Sequence, residues 1–555
     1  MKTSIIILTF NQLNYTKLCI DSIRKYTDKD TYEIIVVDNH STDGTVQWLK
    51  EQEDIQAIFN EENLGFPKGC NQGIEIAKGD NILLLNNDVI VTPNWLTNLN
   101  KCLYSSNDIG AVGAISNYAS NYQTIKANYK TNEDMIEFAE RNNVSNKDAW
   151  EERLRLIGFC MLIKKVVIEK VGLLDERFSP GNFEDDDYSF RMKKAGYRLM
   201  LCKDVFIHHF GSVSFNKNRG EFNNLLSLNK KKFEEKWGLS NSYYFNIQID
   251  LINLMDHFKF EKINVLEIGC GCGGTLLQIK NIYKNANLYG IELNEKAAEI
   301  SNTFANVKCI NIENDDLEYE EEYFDYIIFG NELKHLNAPL DVLNTIRKYL
   351  KKDGKILATF PNIMHYIIIR NLIYGNWKHD TQTSIKFFTL DEIHNMLKNA
   401  NFKIERITGN TKQPTEDDKK FIDSLNNITE KDMTNQYQFQ RYFVRAKNTE
   451  IFTDTNNGSR NIKFLLRRIE NDILVEESLK SLIEMIHDAK LNLNTAIELI
   501  DTNIIRKEKV LNQLALYLSK KNMYEYANIL SSKAYEIKSA NIETQNPLKN
   551  IEGDN

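Results

Sequence analysis

Apolar residues in the first part of this chain fall in short continuous runs, separated by stretches of helical spacing. SIIILTF (Ser4–Phe10), YEIIVVD (Tyr32–Asp38) and the run within DNILLLNNDVIV (Asp80–Val91) predict buried strands, and NYTKLCIDSIRKY and TVQWLKEQ predict helices between them. Such alternation predicts a mostly parallel sheet covered on both faces, with ligands at the carboxyl ends of the strands. The pattern begins again near mid-chain. SYYFNIQIDLINLMDHF (Ser242–Phe258) predicts a helical lead-in. VLEIG, LYGIEL (Leu288–Leu293), KCINI (Lys308–Ile312), YFDYIIFG (Tyr323–Gly330) and GKILATFPN (Gly354–Asn362) predict strands with helices between. The expected fold class is α/β: two doubly wound units, residues 1–240 and 241–447, then a helical region over 448–555.

Composition changes this picture little. The 42% hydrophobic and 26% charged content is that of an ordinary globular chain, and a net charge of −8 argues against a general nucleic-acid binder. The start, MKTSIIILTFNQ, lacks the apolar core and cleavage site of a signal peptide, and no apolar stretch of about 20 residues predicts a transmembrane segment. The eight cysteines lack disulfide or zinc spacing, so a reducing cytoplasm is the expected compartment. Richness in Asn, Lys and Ile, as in AT-rich bacterial genomes, speaks of source and not of function.

The polar residues at the ends of the first strands form a set. Thr9 and Asn11 follow the first strand, Asp38 ends the second, and Asp43 sits in the next turn. Asn86, Asn87 and Asp88 interrupt an apolar run, where buried polar groups are costly without partners. A hard divalent cation bridging a diphosphate supplies such partners. Further on, GNFEDDDYSFRMKKAGYRL places Glu184, Asp185, Asp186 and Asp187 in a row, so at least one needs a raised pKa or a cationic partner. VFIHHFGSVSF adds His208 and His209.

The order TFN, VVDNHSTDGT, NLGFPKGCNQG, LLLNNDVIV, EDDD and HHFGSVSF resembles the family-2 glycosyltransferases of GT-A fold, most of all the bacterial branch with rhamnosyl- and galactofuranosyltransferases. The resemblance spans residues 3–215. It implies a nucleotide-sugar site at Thr9, Asn11, Asp38, Asp43 and Asn87. The family's Asp-x-Asp motif falls on Asn86-Asn87-Asp88, which leaves Asp88 as main ligand of Mg²⁺ or Mn²⁺, with His209, before the Gly-x-x-Ser pattern, completing the site. It implies Asp185 as catalytic base, with Asp187 as rival, and a structural role for Asp175; His208 is expected to be packed or exposed. The NLGFPKGCNQG segment (Asn63–Gly73) is expected to approach the donor closely.

In the second unit VLEIGCGCGG (Val265–Gly274) fits two patterns. Gly269, Gly271 and Gly274 satisfy the dinucleotide fingerprint, while Glu267, Gly269, Gly271 and Gly273 satisfy E-x-G-x-G-x-G, typical of S-adenosylmethionine sites. Either cofactor uses an acid at the end of the next strand for ribose hydroxyls, and Glu292 is that acid. The later FDYIIFGNELKHLNAPLDVLNTIRKYLKKDGKILATFPN resembles the class I methyltransferases, and the similarity covers about 242–408. It implies S-adenosylmethionine contacts at Glu267, Gly269, Gly271, Gly273 and Glu292, with Asn311–Asn314 beside the adenine and Asn331 facing the methyl donor. Some relatives carry a His where this chain has Ser384-Ile385-Lys386. His335 is the expected base, or else a turn residue bonded to backbone, with His365 next. Tyr366, Tyr374 and Trp377 line an acceptor pocket or form a packed lid.

After the linker TDTNNGSRN, the segments NIKFLLRRIENDIL, SLKSLIEMIHDAKLNLNTAIELI and KVLNQLALYLSKKNMYEYANILSSKAYEI predict helices, the last as a tetratricopeptide-like helix–turn–helix without clear repeats. A bundle for partner binding or self-association is expected, or a cap on the methyltransferase; QNPLKNIEGDN is expected to be disordered. The whole predicts a bifunctional glycan-modifying enzyme taking a nucleotide-sugar donor and a glycan or glycoprotein acceptor, in bacterial surface polysaccharide or flagellin glycan synthesis. The alternatives are one catalytically silent binding domain, or an NAD-dependent oxidoreductase as the second domain.

Overall fold

The computed structural model describes residues 1–211, 219–239, 246–315, 317–376 and 386–449, and in the C-terminal region residues 462, 465–466, 469–470, 475–487, 492–504 and 506–544. The linker TDTNNGSRN, the final QNPLKNIEGDN, most of NIKFLLRRIENDIL, and Ser214, Trp377, Ser384 and Ile385 lie outside the described residues. The chain divides into two compact units, Met1–Asn448 and Thr449–Asn555.

The first unit holds two sheets. Nine strands build the first: β1 (Thr3–Thr9), β2 (Tyr32–Asp38), β3 (Ile55–Phe59), β4 (Asn81–Asn86), β5 (Val89–Ile90), β6 (Ile109–Ser116), β7 (Trp150–Arg153), β8 (Cys160–Lys164) and β9 (Arg198–His209). They run in the order β3-β2-β1-β4-β8-β6-β9-β5, with β7 on the flank of β9. β1 is parallel to β2 and β4, and its register sets Thr9 opposite Asp38 and Leu8 opposite Asn86. The runs IIIL, IIVV and ILLL are apolar on both sides because helices cover both faces of the sheet. Chief among these helices are α1 (Leu13–Tyr26), α2 (Thr45–Lys50), α3 (Phe66–Ile76), α4 (Trp95–Leu103), α5 (Asn132–Asn142), α6 (Lys165–Val171), α7 (Glu184–Lys194) and α8 (Arg219–Trp237).

Seven strands build the second sheet: β10 (Asn264–Ile268), β11 (Asn287–Ile291), β12 (Asn306–Lys308), β13 (Phe324–Phe329), β14 (Leu350–Pro361), β15 (Phe402–Thr411) and β16 (Phe439–Asn448). The order is β12-β11-β10-β13-β14-β16-β15, and β16 runs antiparallel to both neighbours. Both sheets are thus of mixed α/β type and share a 3-2-1-4 beginning, the doubly wound arrangement that opens a crevice between strands one and four.

Two expected elements differ. Among the described residues of the lead-in, the α-helix covers Ile249–Ile252. After this helix the chain turns so that Leu254 and Met255 also reach the core, and the Asp256 amide donates to the Tyr326 hydroxyl (3.0 Å). The KCINI strand lies earlier, at Asn306–Lys308, because the chain leaves the sheet edge once the Lys308 carbonyl has accepted the Glu292 amide and folds into a turn in which Asp315 accepts the Asn311 amide.

The two sheets of this unit are joined. Asn281, on the helix Gly274–Ile282, accepts the Glu152 amide and donates to its carbonyl, both at 2.9 Å, and so pairs with β7 as a strand would. Glu152 is buried between Lys193 of α7 (2.6 Å) and Lys280 (3.3 Å). Leu154, Phe190, Phe233 and Trp237 on one side pack with Leu277, Ala297 and Ile300 on the other. One partner of a buried ion pair cannot be removed without stranding the other, so the Glu152 cluster holds α7 in register with the second sheet.

In the second unit the helices Val475–His487, Leu493–Asn503, Lys507–Lys520 and Tyr524–Thr544 pack around Leu482, Ile500, Leu511, Leu518 and Leu530. Among the described residues no helix is long and apolar enough to cross a membrane.

Candidate active sites

The first crevice gathers the ends of β1, β2 and β4. The Thr9 hydroxyl lies 3.0 Å from that of Thr16, and the Asn87 amide donates to Thr16 (3.1 Å) and, more weakly, Thr9 (3.4 Å). Asn87 thereby fixes the floor. Asn11 accepts the Thr42 amide (2.9 Å). Asp38 is fully buried; its Oδ2 accepts the Ser41 amide (2.9 Å), while its Oδ1 has no partner. A buried carboxylate oxygen left this way is expensive and marks a place for a ligand hydroxyl or N–H. Asp43 is placed differently. It accepts the Leu13 amide and the Thr45 hydroxyl, tying down the starts of α1 and α2. Burial works against its charge, but these hydrogen bonds outweigh it and hold the carboxyl below its usual range.

Asp88 and His209 meet at the rim, with Nε2 3.1 Å from Oδ1. The other ring nitrogen, Nδ1, lies 2.7 Å from the Tyr118 carbonyl, which can only accept, so Nδ1 carries the proton. In the neutral ring Nε2 then turns a lone pair toward a carboxylate oxygen. Two acceptors face each other and a cation between them satisfies both, with the carbonyl fixing the tautomer as in metal sites. Phe159 stacks on the ring at 5.3 Å and holds its plane. Among the described residues no group of three or more His, Cys, Asp or Glu could hold a metal, so a cation held by this pair would take its remaining coordination from a ligand and water. His208 is packed: burial lowers it to about 4, and the Tyr129 hydroxyl lies 2.5 Å from its Nδ1.

The four carboxylates at the start of α7 have four different fates. Glu184 is buried, with Oε2 unpartnered, and burial pushes its pKa well up. Asp185 is partly exposed, held by the Gly158 amide (3.1 Å) and its neighbour's amide. Burial and then the Asp186 charge raise it to about 6, against the pull of the Gly158 amide and Arg155. Asp186 is neutralised by Arg155 (2.6 Å). Asp187 is fully buried and bound by Arg191, Lys236 and the Trp237 indole, which leaves it no reach to a substrate. Asp175 caps a short 3₁₀ turn and pairs with Arg177 and Lys236.

Two glycines of the Asn63–Gly73 segment serve packing inside the domain. A Cβ at Gly69 would lie 2.2 Å from Leu8, and at Gly73 2.6 Å from Ile6, so these glycines let α3 lie against β1.

The second crevice opens after β10. Gly269, Gly271 and Gly273 all have left-handed φ (67°, 56° and 82°), which glycine alone adopts without strain. The Gly269 and Cys270 amides donate to the Ile291 carbonyl, and Glu292 accepts the Gly271 amide (2.7 Å) and the Asn294 amide (2.9 Å). Glu292 thus braces the turn at the end of β11. Glu267 is buried, with Oε2 unpartnered; burial, reinforced by Glu332 and Glu292, raises it to about 8. The Glu332 side chain lies over Gly269, where a Cβ would sit 2.2 Å from its carboxyl carbon. With Glu267 largely protonated below about pH 8, Glu292 and Glu332 carry the negative charge at this turn, which favours a cationic ligand. Asn331 follows β13 and precedes the 3₁₀ turn Glu332–Lys334. His335 is half-buried, its pKa lowered by burial and by Lys334. Asn311 accepts the Glu313 amide, and Glu313 accepts the Asn337 and Ala338 amides, so this loop is bound to the turn beyond His335. Lys386, beside the position of the missing histidine, donates to the Leu336 and Asn337 carbonyls. His365 is buried with Nε2 unpartnered, Tyr366 is packed and Tyr374 is exposed.

Arg155 and Glu332 had no signal in the sequence, and Glu184 was not singled out from its row. Arg155 lies outside any motif, Glu184 was one acid among four, and Glu332 is read only once the 3₁₀ turn folds back on Gly269.

Known proteins resemble the two domains separately. The model of glycosyl transferase family 2 matches residues 4–172, and that of a methyltransferase domain matches 241–407. Glycosyltransferase GlyG of Streptococcus pneumoniae is 27% identical over 214 residues, covering 37% of this chain and 67% of that protein. The malonyl-[acyl-carrier protein] O-methyltransferase of Bacillus cereus is 26% identical over 187 residues, covering 31% and 70%. The mannosyltransferase PcManGT of Pyrobaculum calidifontis, solved with GDP-Man and Mn²⁺, is 20% identical with a TM-score of 0.32, covering 42% of this chain and 64% of that one, just under two thirds of its length. The chain carries an N-terminal family-2 glycosyltransferase domain fused to a class I S-adenosylmethionine-dependent methyltransferase domain.

Proposed function

We propose that the chain is a bifunctional glycan-modifying enzyme. The first domain transfers a sugar, with inversion, from a nucleotide-sugar donor to a glycan or glycoprotein acceptor, and the second methylates a sugar hydroxyl of the same glycan. Bacterial surface polysaccharide or flagellin glycan synthesis on the cytoplasmic side is the setting. The helical region after residue 448 serves partner binding or self-association.

The observation that carries this reading is the opposite chemistry of the two crevices: a divided carboxylate–imidazole pair in one, three glutamates around a glycine turn in the other. Thr9, Asn11, Asp38, Asp43 and Asn87 hold or shape the nucleotide site. Asp88 and His209 are the residues that would hold Mg²⁺ or Mn²⁺, which when bound supplies positive charge for the departing diphosphate. Asp185, ionised above about pH 6, takes the proton of the acceptor hydroxyl as that oxygen attacks the anomeric carbon. Arg155 on Asp186 and the Gly158 amide keep Asp185 aimed and charged.

In the second domain Gly269, Gly271 and Gly273 admit the donor to close range, Glu292 receives ribose hydroxyls, and Glu267 and Glu332 face its cationic part. S-adenosylmethionine, when bound, supplies an electrophilic methyl group. Asn331 orients the acceptor edge, and His335, kept neutral by burial, accepts the hydroxyl proton. An NAD-dependent reading is disfavoured because a methyltransferase-domain model matches residues 241–407. Asn86 in place of the motif's first Asp favours a second reading, in which the first domain binds donor without turnover. Incubation of the full chain with a panel of nucleotide sugars and Mn²⁺ separates the two: donor hydrolysis or transfer that Asp185→Asn abolishes supports the enzyme, and tight binding without turnover supports the module.

A further inference from the structure

The second crevice carries charge of both signs, and the two are set apart. Glu292 and Glu332 stand at the glycine turn. The cations stand further along the carboxyl ends of the strands. Because β13, β14 and β16 pair in that order, the turn after β13 and the start of β16 lie on either side of the end of β14. Lys334 is on that turn, next to His335, and Arg441 lies near the start of β16, opposite Pro361, the last residue of β14. Residues 386–388 fasten the two sides together. The Lys386 amide donates to the Lys334 carbonyl and the Phe388 amide to the Pro361 carbonyl, both at 2.9 Å.

Neither cation has a counter-charge. Among the described residues, neither the Lys334 ammonium nor the Arg441 guanidinium has an ion pair or a hydrogen bond. Elsewhere on the same strands cations are paired: Lys351 and Lys355 of β14 with Asp325 and Asp256, and Arg445 of β16 with Asp256. The lack of an acid is thus local to the carboxyl end. Lys334 is half-buried, and Arg441 is exposed. Burial and then the Arg441 charge lower the pKa of Lys334, against the pull of Glu332, whose carboxyl carbon lies over Gly269. Two cations within reach of one another repel, and an anion between them turns that repulsion into two charge-assisted contacts. Lysine supplies a point charge and arginine a planar fork, a pair that suits a carboxylate or a phosphate. The place is on the acceptor side of the crevice. It adjoins His335, the proposed base, while the acids that suit a cationic donor stand at the glycine turn.

We propose that Lys334 and Arg441 form an anion-binding edge of the methyl-acceptor site, so that the sugar methylated by the second domain bears a carboxylate or a phosphate near the hydroxyl that is modified. The inference rests on the methyltransferase reading of that site. The test is an NMR titration of the full chain, loaded with S-adenosylhomocysteine, with pairs of methyl glycosides that differ in charge: glucoside against glucuronide, galactoside against galacturonide, and glucoside against its 6-phosphate. In at least one pair the charged member binds about ten-fold or more tighter. Preference for a uronide assigns a carboxylate, and preference for the 6-phosphate assigns a phosphate. Lys334→Met and Arg441→Ala each erase most of that preference, while S-adenosylmethionine affinity stays at the parent value. Arg441 is exposed, so where Lys334→Met disturbs the fold or lowers S-adenosylmethionine affinity, Arg441→Ala alone decides. Equal binding within every pair, binding by no member, or a charge preference that outlives the variants overturns the proposal. Failure of the methyltransferase reading shows separately, as wild-type protein that does not bind S-adenosylmethionine.

Discussion

Both sheets of the first unit run 3-2-1-4 from one edge and both open a crevice where strand one meets strand four, yet the two crevices are built in opposite ways. After β1 the chain leaves through Asn11 and Gln12, whose left-handed φ values of 57° and 63° replace a glycine turn, and hydroxyls, amides and two carboxylates line the space. After β10 three left-handed glycines bare the backbone and three glutamates collect around it. On the proposed function the first needs a cation before an anionic ligand can sit beside its acids. The second attracts a ligand that is itself cationic. Topology sets where a ligand binds, and the inventory of charge at the strand ends decides which ligand it is.

The largest effect that sharpens this contrast is on the metal. Chelation, or Asp88→Ala, is expected to bring sugar transfer below detection while methyl transfer is unmoved, measured with labelled donors on one preparation. Sugar transfer that survives EDTA would break the contrast. Next comes the base: Asp185→Asn lowers sugar transfer by about 10²–10⁴-fold with S-adenosylmethionine affinity unchanged. Its stability moves the other way. Asp185 is raised above its unfolded value, so ionising it costs the native state stability as pH rises through the unfolded pKa toward about 6. The variant should therefore melt no lower than the parent at pH 7, and a lower melting temperature would show that the carboxylate is structural. Glu292→Ala removes charge-assisted hydrogen bonds to the ligand and weakens S-adenosylmethionine by about 10–100-fold, read by calorimetry, with no effect on nucleoside diphosphate. The smallest effect is in pH: sugar-transfer kcat/KM climbs through about pH 6 to a plateau, because the ionised Asp185 is the active form.

Much of this was legible in the sequence. YEIIVVD is β2 to the residue, and the continuous apolar runs fixed both parallel cores. Asp38, Asp88, His209 and Glu292 stand at strand ends because period and turn residues place them there. What was not legible depends on contacts far apart in the chain. Asp185 and Asp187 are equivalent by spacing; only burial against Arg191, Lys236 and Trp237 takes Asp187 out of play. That Gly69 and Gly73 let α3 lie on β1 shows only once Leu8 and Ile6 are found beneath them. The join through Glu152, Lys193 and Lys280 involves residues of three elements and leaves no motif.

The two-crevice account is tested most directly by calorimetry on a single sample of the full chain, titrated with S-adenosylmethionine and then with nucleoside diphosphate in the presence and absence of Mn²⁺, in buffers of different ionisation enthalpy. The account predicts one site for each ligand, an absolute metal requirement for the diphosphate alone, and proton release with S-adenosylmethionine, because a cationic ligand drives Glu267 down from about 8. Diphosphate that binds without metal, or NAD⁺ that binds where S-adenosylmethionine does not, would contradict it.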